Sequence, residues 1–205
     1  MESLRIKPVH LFFGAAAVLL FIASSTLAAV AHWSPSPVAV ASVTQGRVFI
    51  EVLAEPGSNT GIIHAAIDIP APPARVWAVM TDCARTPVLM ANTSCRIVSG
   101  DMRSGSDVRE QISGRNLIFP AMHNVVRVDY TPVSLMRFRR TGGDFQTLEG
   151  EWRLEPISNG AGTRVIYVNR LAVNLPIPSP LMREGMRRDV PRMLMNLRRE
   201  ALAGR

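Results

Sequence analysis

Polar side chains interrupt several strand faces that would otherwise be apolar. Read with a period of two, Val108, Glu110 and Ile112 share one face. Met122, Asn124, Val126, Val128 and Tyr130 share another, and Val165, Tyr167, Asn169, Leu171 and Val173 a third. On that reading Glu110, Asn124, Tyr167 and Asn169 point inward, as does Gln146 just before the Leu148 strand. Buried polar groups need partners. Gathered inside a cavity they would orient a ligand, and a desolvated Glu110 would have a raised pKa suited to a general base, working with a tyrosine. The alternative is that they pair with each other or with backbone, and a one-residue change of register would turn them outward.

Other chemistries find little support. His64 and His123 stand in no ligand spacing with Cys, Asp or Glu, so no metal is expected. No G-x-S-x-G occurs, and Gly160-Ala161-Gly162 precedes a strand pattern rather than a helix, so it reads as a hairpin turn and not a phosphate loop. No cofactor is expected. The two cysteines, Cys83 and Cys95, are not in a C-x-x-C, and an isolated pair in an exported chain predicts a disulfide.

The chain holds 205 residues, 47% hydrophobic and 19% charged, an ordinary globular composition with a net charge of +7. Residues 1–31 differ: Arg5 and Lys7 precede an apolar run over residues 11–23, and Ala29-Val30-Ala31 fits a small-x-small cleavage site. That pattern predicts a secretory signal, with a retained anchor as the rival, and so a periplasmic or extracellular protein. About 170 residues remain, enough to bury roughly 70% of the unfolded surface in one core. Residues 32–44 read as a linker and residues 45–205 as one domain. The basic balance favours anionic partners such as lipid headgroups, with possible contact with a membrane surface, and the inward-facing Met80, Met122, Met136, Met182, Met186 and Met193 suit an apolar small molecule or lipid as partner. No nucleic acid is expected.

The elements that must position these groups follow from pattern. Strand-like runs precede Pro70-Ala71-Pro72-Pro73, which opens a helix carrying Val76, Trp77 and Met80; Thr86-Pro87 starts a second short one. Alternating strands follow from Arg96 to Val173, punctuated by turns at Gly142-Gly143 and Asn159-Gly160. A last segment, residues 180–203, carries an apolar stripe of Met182, Met186, Val190, Leu194, Leu197 and Ala201, with Pro191 expected to kink or restart the helix and Asp189 to cap it. Trp77, Trp152, Met186 and Leu194 read as core or cavity wall. Ile118, Phe119 and Ile177 sit in apolar loops at one rim and read as a portal.

Ile67-Asp68-Ile69-Pro70-Ala71-Pro72 with Val76-Trp77-Ala78-Val79-Met80-Thr81-Asp82, then Leu148-Glu149-Gly150-Glu151-Trp152-Arg153-Leu154, and finally Arg188-Asp189-Val190-Pro191 resemble an exported subgroup of the START-like, polyketide cyclase/dehydrase (SRPBCC) superfamily. The resemblance spans roughly residues 62–203. It implies an α+β helix-grip fold: a curved antiparallel sheet of about seven strands wrapped on a long C-terminal helix, two short helices after the first strand, and a hydrophobic cavity between sheet and helix. Three functions are compatible with it: a carrier of a lipid- or quinone-like compound, a cyclase- or dehydratase-like enzyme, and a non-catalytic interaction module with a filled interior.

Overall fold

A computed structural model describes residues 32–55, 58–91, 93–114, 120–173 and 178–203. The expected signal segment and the portal residues Ile118, Phe119 and Ile177 lie outside them. The elements run α1 (Pro37–Thr44), β1 (Phe49–Ala54), β2 (Gly61–Ile69), α2 (Pro73–Thr81), α3 (Thr86–Leu89), β3 (Thr93–Asp101), β4 (Ser106–Ser113), β5 (Met122–Thr131), β6 (Leu135–Gly143), β7 (Phe145–Ile157), β8 (Gly162–Val173) and α4 (Ser179–Leu202). All strands join one antiparallel sheet in the order β1-β2-β8-β7-β6-β5-β4-β3. The helix-grip expectation holds, with eight strands described and the short helices following the second strand rather than the first.

Why these residues form these elements is plain in the strongest cases. In β5, Met122, Asn124, Val126, Val128 and Tyr130 are buried while the intervening residues are half-exposed, the signature of a one-sided strand. Pro72 and Pro73 start α2, where a missing N–H costs nothing. The buried stripe of α4 is the expected one, extended by Gly185 and Met193. The helix is not restarted at Pro191 but runs through it. Proline removes one intrahelical bond there, and the apolar stripe continues on both sides of it, so packing against the sheet holds the segment in line. Asp189 does not cap a second helix; its carboxylate pairs with Arg188 and Arg192.

The expected linker is partly a structural element. Ser36 accepts a hydrogen bond from the Ala39 N–H and Pro37 occupies the first turn of α1, whose Ala39 and Val43 are wholly buried. The helix packs on β1 and β2. Nearby, Trp33 stacks on His64 and Phe49 with ring centroids 4.9 and 5.9 Å apart. His64 lies on the side of β2 opposite Ile63, Ala65 and Ile67, so this N-terminal layer covers the outer face of the sheet, where Ala66, Ile166 and Val168 are also wholly buried. The other face meets α4 and α2. Gly142 and Gly143 end β6 instead of forming the turn, pairing with Val125 and Asn124. Gly143 has φ +94°, and a Cβ there would lie 2.2 Å from the His123 carbonyl oxygen, so strand β5 could not approach a larger residue.

Candidate functional site: a cavity between sheet and helix

The concave sheet face, the α2–α3 segment and the C-terminal half of α4 enclose a cavity of about 240 Å³. Aromatic residues from three strands form one wall: Phe138 on β6, Phe145 and Trp152 on β7, Tyr167 on β8. Trp152 and Tyr167 lie with centroids 4.3 Å apart, and Phe138 stacks on Tyr167 at 6.4 Å. Gly150 makes this possible, since a Cβ there would sit 2.6 Å from the Phe138 ring and 2.2 Å from the Val168 carbonyl. Met80, Met90, Met136 and Met193 also line the cavity, polarizable side chains that adapt to irregular apolar shapes. The Cys83–Cys95 disulfide forms as expected, with Cα atoms 5.4 Å apart. It closes the loop carrying Thr86, Leu89, Met90 and Thr93, all cavity-lining, and so staples one wall to the sheet.

Two polar groupings break the apolar lining. On β4 and β5, Asp107, Arg109 and Tyr130 form a buried network. Arg109 Nε donates to Asp107 Oδ1 at 3.0 Å; its Nη2 donates to Asp107 Oδ2 at 3.1 Å, to the Thr81 carbonyl at 2.8 Å and to the Tyr130 hydroxyl. The Tyr130 hydroxyl donates to Asp107 Oδ2 at 2.7 Å. Burial, then the hydrogen bond to Asp107, push the Tyr130 phenol well above its ordinary pKa. Arg109 also lines the cavity. On β8, Asn169 Nδ2 donates to the Tyr167 hydroxyl at 2.7 Å, while Asn169 Oδ1 is buried without a partner among the described residues. Burial raises the Tyr167 phenol as well, opposed by the bond from Asn169. Across the sheet, Asn124 on β5 has the same condition at its own Oδ1.

The family model for polyketide cyclase / dehydrase and lipid transport matches residues 69–198, from the end of β2 through most of α4. The chain belongs to this family. Among solved structures, the STAR-related lipid transfer protein from Xanthomonas axonopodis is similar at 16% identity and TM-score 0.64, covering 75% of this chain and 93% of its own. A protein of Thermus thermophilus matches at 23% identity and TM-score 0.59, over 70% and 98%. The Zhui aromatase/cyclase from Streptomyces sp. R1128 matches at 15% and 0.56, over 71% and 93%. At these identities the likeness is one of fold. No curated protein matches the sequence.

Within this polyketide cyclase/dehydrase and lipid-transport fold, the structure brings together Asn124, Trp152, Tyr167 and Asn169 of the residues read as a site. Trp77, Met186 and Leu194 are buried core beside the cavity rather than residues of its wall. Trp77 meets Tyr130 edge-on at 6.1 Å, and Met186 covers Gly61. Two side chains depart from the expected facing. Glu110 points outward, where Arg96 donates to it at 2.6 Å and His123 lies 2.8 Å away. These bonds hold its carboxyl below the usual value, the reverse of a desolvated base. The cause is register: Arg109 pairs with Val126 and Gln111 with Asn124, so the odd-numbered residues of β4 face inward and Ile112 faces solvent. Gln146 is exposed because the β7–β8 register shifts between Phe145 and Thr147, a bulge that leaves Gln146 unpaired and sends Phe145 into the cavity instead.

Asp107 and Arg109 escape a reading of the sequence for the same reason. The apolar pair Val108 and Ile112 marks the wrong face of β4. Only the ladder with β5 corrects it: Arg109 pairs with Val126 and Asp107 with Val128, and residues paired across an antiparallel ladder share a face, so both have to face inward.

Proposed function

We propose that this chain is an exported carrier of a small apolar ligand held between the sheet and α4. The observation that carries the reading is the cavity itself: apolar and aromatic walls, a volume of about 240 Å³, and a few converging polar groups. That is the general form of a small-molecule site, where apolar surface supplies affinity and isolated polar groups set orientation. The open interior weighs against a closed interaction module. Size narrows the ligand. The cavity exceeds the ~150 Å³ that admits benzene but is smaller than the usual ~300–1,000 Å³ of drug-sized sites. A compact ring compound fits the described walls better than a long acyl chain. Export is supported by the disulfide, which persists in oxidising compartments, and by the signal-like residues 1–31. Among the described residues no helix is long and apolar enough to cross a membrane.

A second reading is an enzyme of cyclase type. It draws on Arg109, a wall residue whose Nη1 has no hydrogen-bond partner among the described residues and could stabilise charge developing on a carbonyl oxygen. Glu110 has no part in it, being on the other face. Native mass spectrometry of protein from its own host, followed by incubation with the extracted compound, separates the two. A carrier releases the compound unchanged. Conversion to a product of different mass, abolished by Arg109→Met, makes it an enzyme, and the absence of any bound small molecule in repeated native preparations overturns the carrier.

A further inference from the structure

Tyr167 and Asn169 form a hydrogen-bonded pair on the cavity wall that is unsatisfied on both sides. Asn169 Nδ2 donates to the Tyr167 oxygen at 2.7 Å, so the Tyr167 proton is free to be given elsewhere, and no acceptor for it exists among the described residues. Asn169 Oδ1 has no donor among them. Both residues are more than nine-tenths buried and both line the cavity. Orphaned buried groups of this kind are uncommon, and each costs stability unless a partner completes its bonding.

We infer that this pair reads a hydroxyl group on the ligand, and that the ligand is a hydroxylated aromatic ring compound of naphthol size. The inference rests on the carrier reading above and deepens it. A hydroxyl answers both needs, donating to Asn169 Oδ1 and accepting from the Tyr167 O–H. It does so whichever way the amide is turned. With the amide reversed, the Tyr167 hydroxyl donates to Oδ1, Nδ2 becomes the orphan, and a ligand hydroxyl accepts from Nδ2 and donates to the tyrosine oxygen. The amide's last torsion is soft, so either end can be presented to the cavity that the side chain already lines. The ring is assigned from the surroundings of the pair. Tyr167 is flanked by Trp152 at 4.3 Å and Phe138 at 6.4 Å, a geometry that offers ring faces and edges to another ring, and methionine side chains add to the lining. A volume of about 240 Å³ admits a fused pair of rings.

The test is calorimetric titration of the folded exported protein with 2-naphthol, with 2-methylnaphthalene, which has nearly the same shape without the hydroxyl, and with dodecanoate. Wild type is expected to bind 2-naphthol at least tenfold more tightly than 2-methylnaphthalene. Tyr167→Phe with Asn169→Leu is expected to bring the two within about twofold by weakening naphthol alone. Equal binding of the two naphthalenes by wild type overturns the inference while leaving an apolar carrier in place, as does binding of dodecanoate alone. Failure of all three to bind overturns the carrier reading with it. Circular dichroism checks that the double variant folds; should it not, Tyr167→Phe alone and the wild-type comparison, which needs no substitution, decide the matter.

Discussion

Replacing Arg109 by Met tests whether the Asp107–Arg109–Tyr130 network is a structural keystone of the cavity wall. The Asp107 and Arg109 side chains are 1% and 7% exposed. Removing the guanidinium leaves the Asp107 carboxylate with the Tyr130 hydroxyl as its only partner among the described residues, and takes the side-chain donor from the Thr81 carbonyl. Deleting one member of a buried ion pair costs about 3–5 kcal/mol, because the surviving charge is stranded in low dielectric. Against a total stability of about 5–15 kcal/mol that is a large fraction. At about 2–4 °C per kcal/mol for a domain of this size, it is a fall in Tm of roughly 6–20 °C. The comparison that isolates the cause is the triple variant Asp107→Leu, Arg109→Met, Tyr130→Phe. It removes every charge and hydroxyl of the network together and is expected within about 1–2 kcal/mol of wild type, since apolar replacement of a whole buried pair is often neutral. Urea unfolding followed by tryptophan fluorescence reads both. An Arg109→Met cost under about 1 kcal/mol, or a triple variant as unstable as the single one, would refute the reasoning, because stranded charge would then not be the source of the loss.

The chain has only two tyrosines, Tyr130 and Tyr167, and both phenols are pushed up by burial, so the native protein should show no tyrosinate absorbance as pH passes through about 10–11. The unfolded chain ionises in that range and the folded one does not, so stability is full below pH ~10 and falls as pH rises above it; a reversible native titration near pH 10 would contradict this. Cys83→Ser with Cys95→Ser should lose about 3 kcal/mol, the loop-closure value for a separation of 12 residues, read as a drop in urea midpoint. Gly150→Ala puts a Cβ 2.2 Å from the Val168 carbonyl and should cost about 3 kcal/mol, the upper end for overpacking, whereas Gly142→Ala, with nothing nearer than 3.6 Å, should be close to neutral, both read by the same urea unfolding.

Much of the architecture can be read from pattern because each legible element buries only one side. The alternation of β5 and the stripe of α4 are direct consequences of that. The register of β4 is not legible for a complementary reason. Its inward residues Asp107, Arg109, Gln111 and Ser113 are all polar, satisfied by a network or by the cavity, while the outward Val108 and Ile112 are apolar. Hydrophobic period then reports the wrong face, and residues 114–121, which join β4 to β5, are too long a connection to fix parity. The exposure of Gln146 depends on a bulge, a single unpaired residue that leaves no mark on local composition. In α1 a signal exists and is outweighed: Ser36-Pro37 is a helix-start pair, set in a Pro- and Ser-containing stretch that reads as linker. The Arg109 network requires Asp107 and Arg109 of β4 to meet Tyr130 of β5 and the Thr81 carbonyl of α2, a meeting that only the fold supplies.

The outer layer of α1 and Trp33 has a mechanical consequence. Strands β1 and β2 are clamped between that layer and α4, and in β2 and the adjoining β8 Ile63, Ala65, Ile67 and Ile166 are wholly buried. At the far edge, β3 is exposed along most of its length and pairs on one side only. The sheet is therefore stiff at one margin and compliant at the other, and the disulfide ties the compliant margin to the helical wall of the cavity. Amide exchange should rank the strands accordingly, with β8 slowest and β3 fastest, and the widening needed to admit a molecule falls to the margin where backbone opening is cheapest.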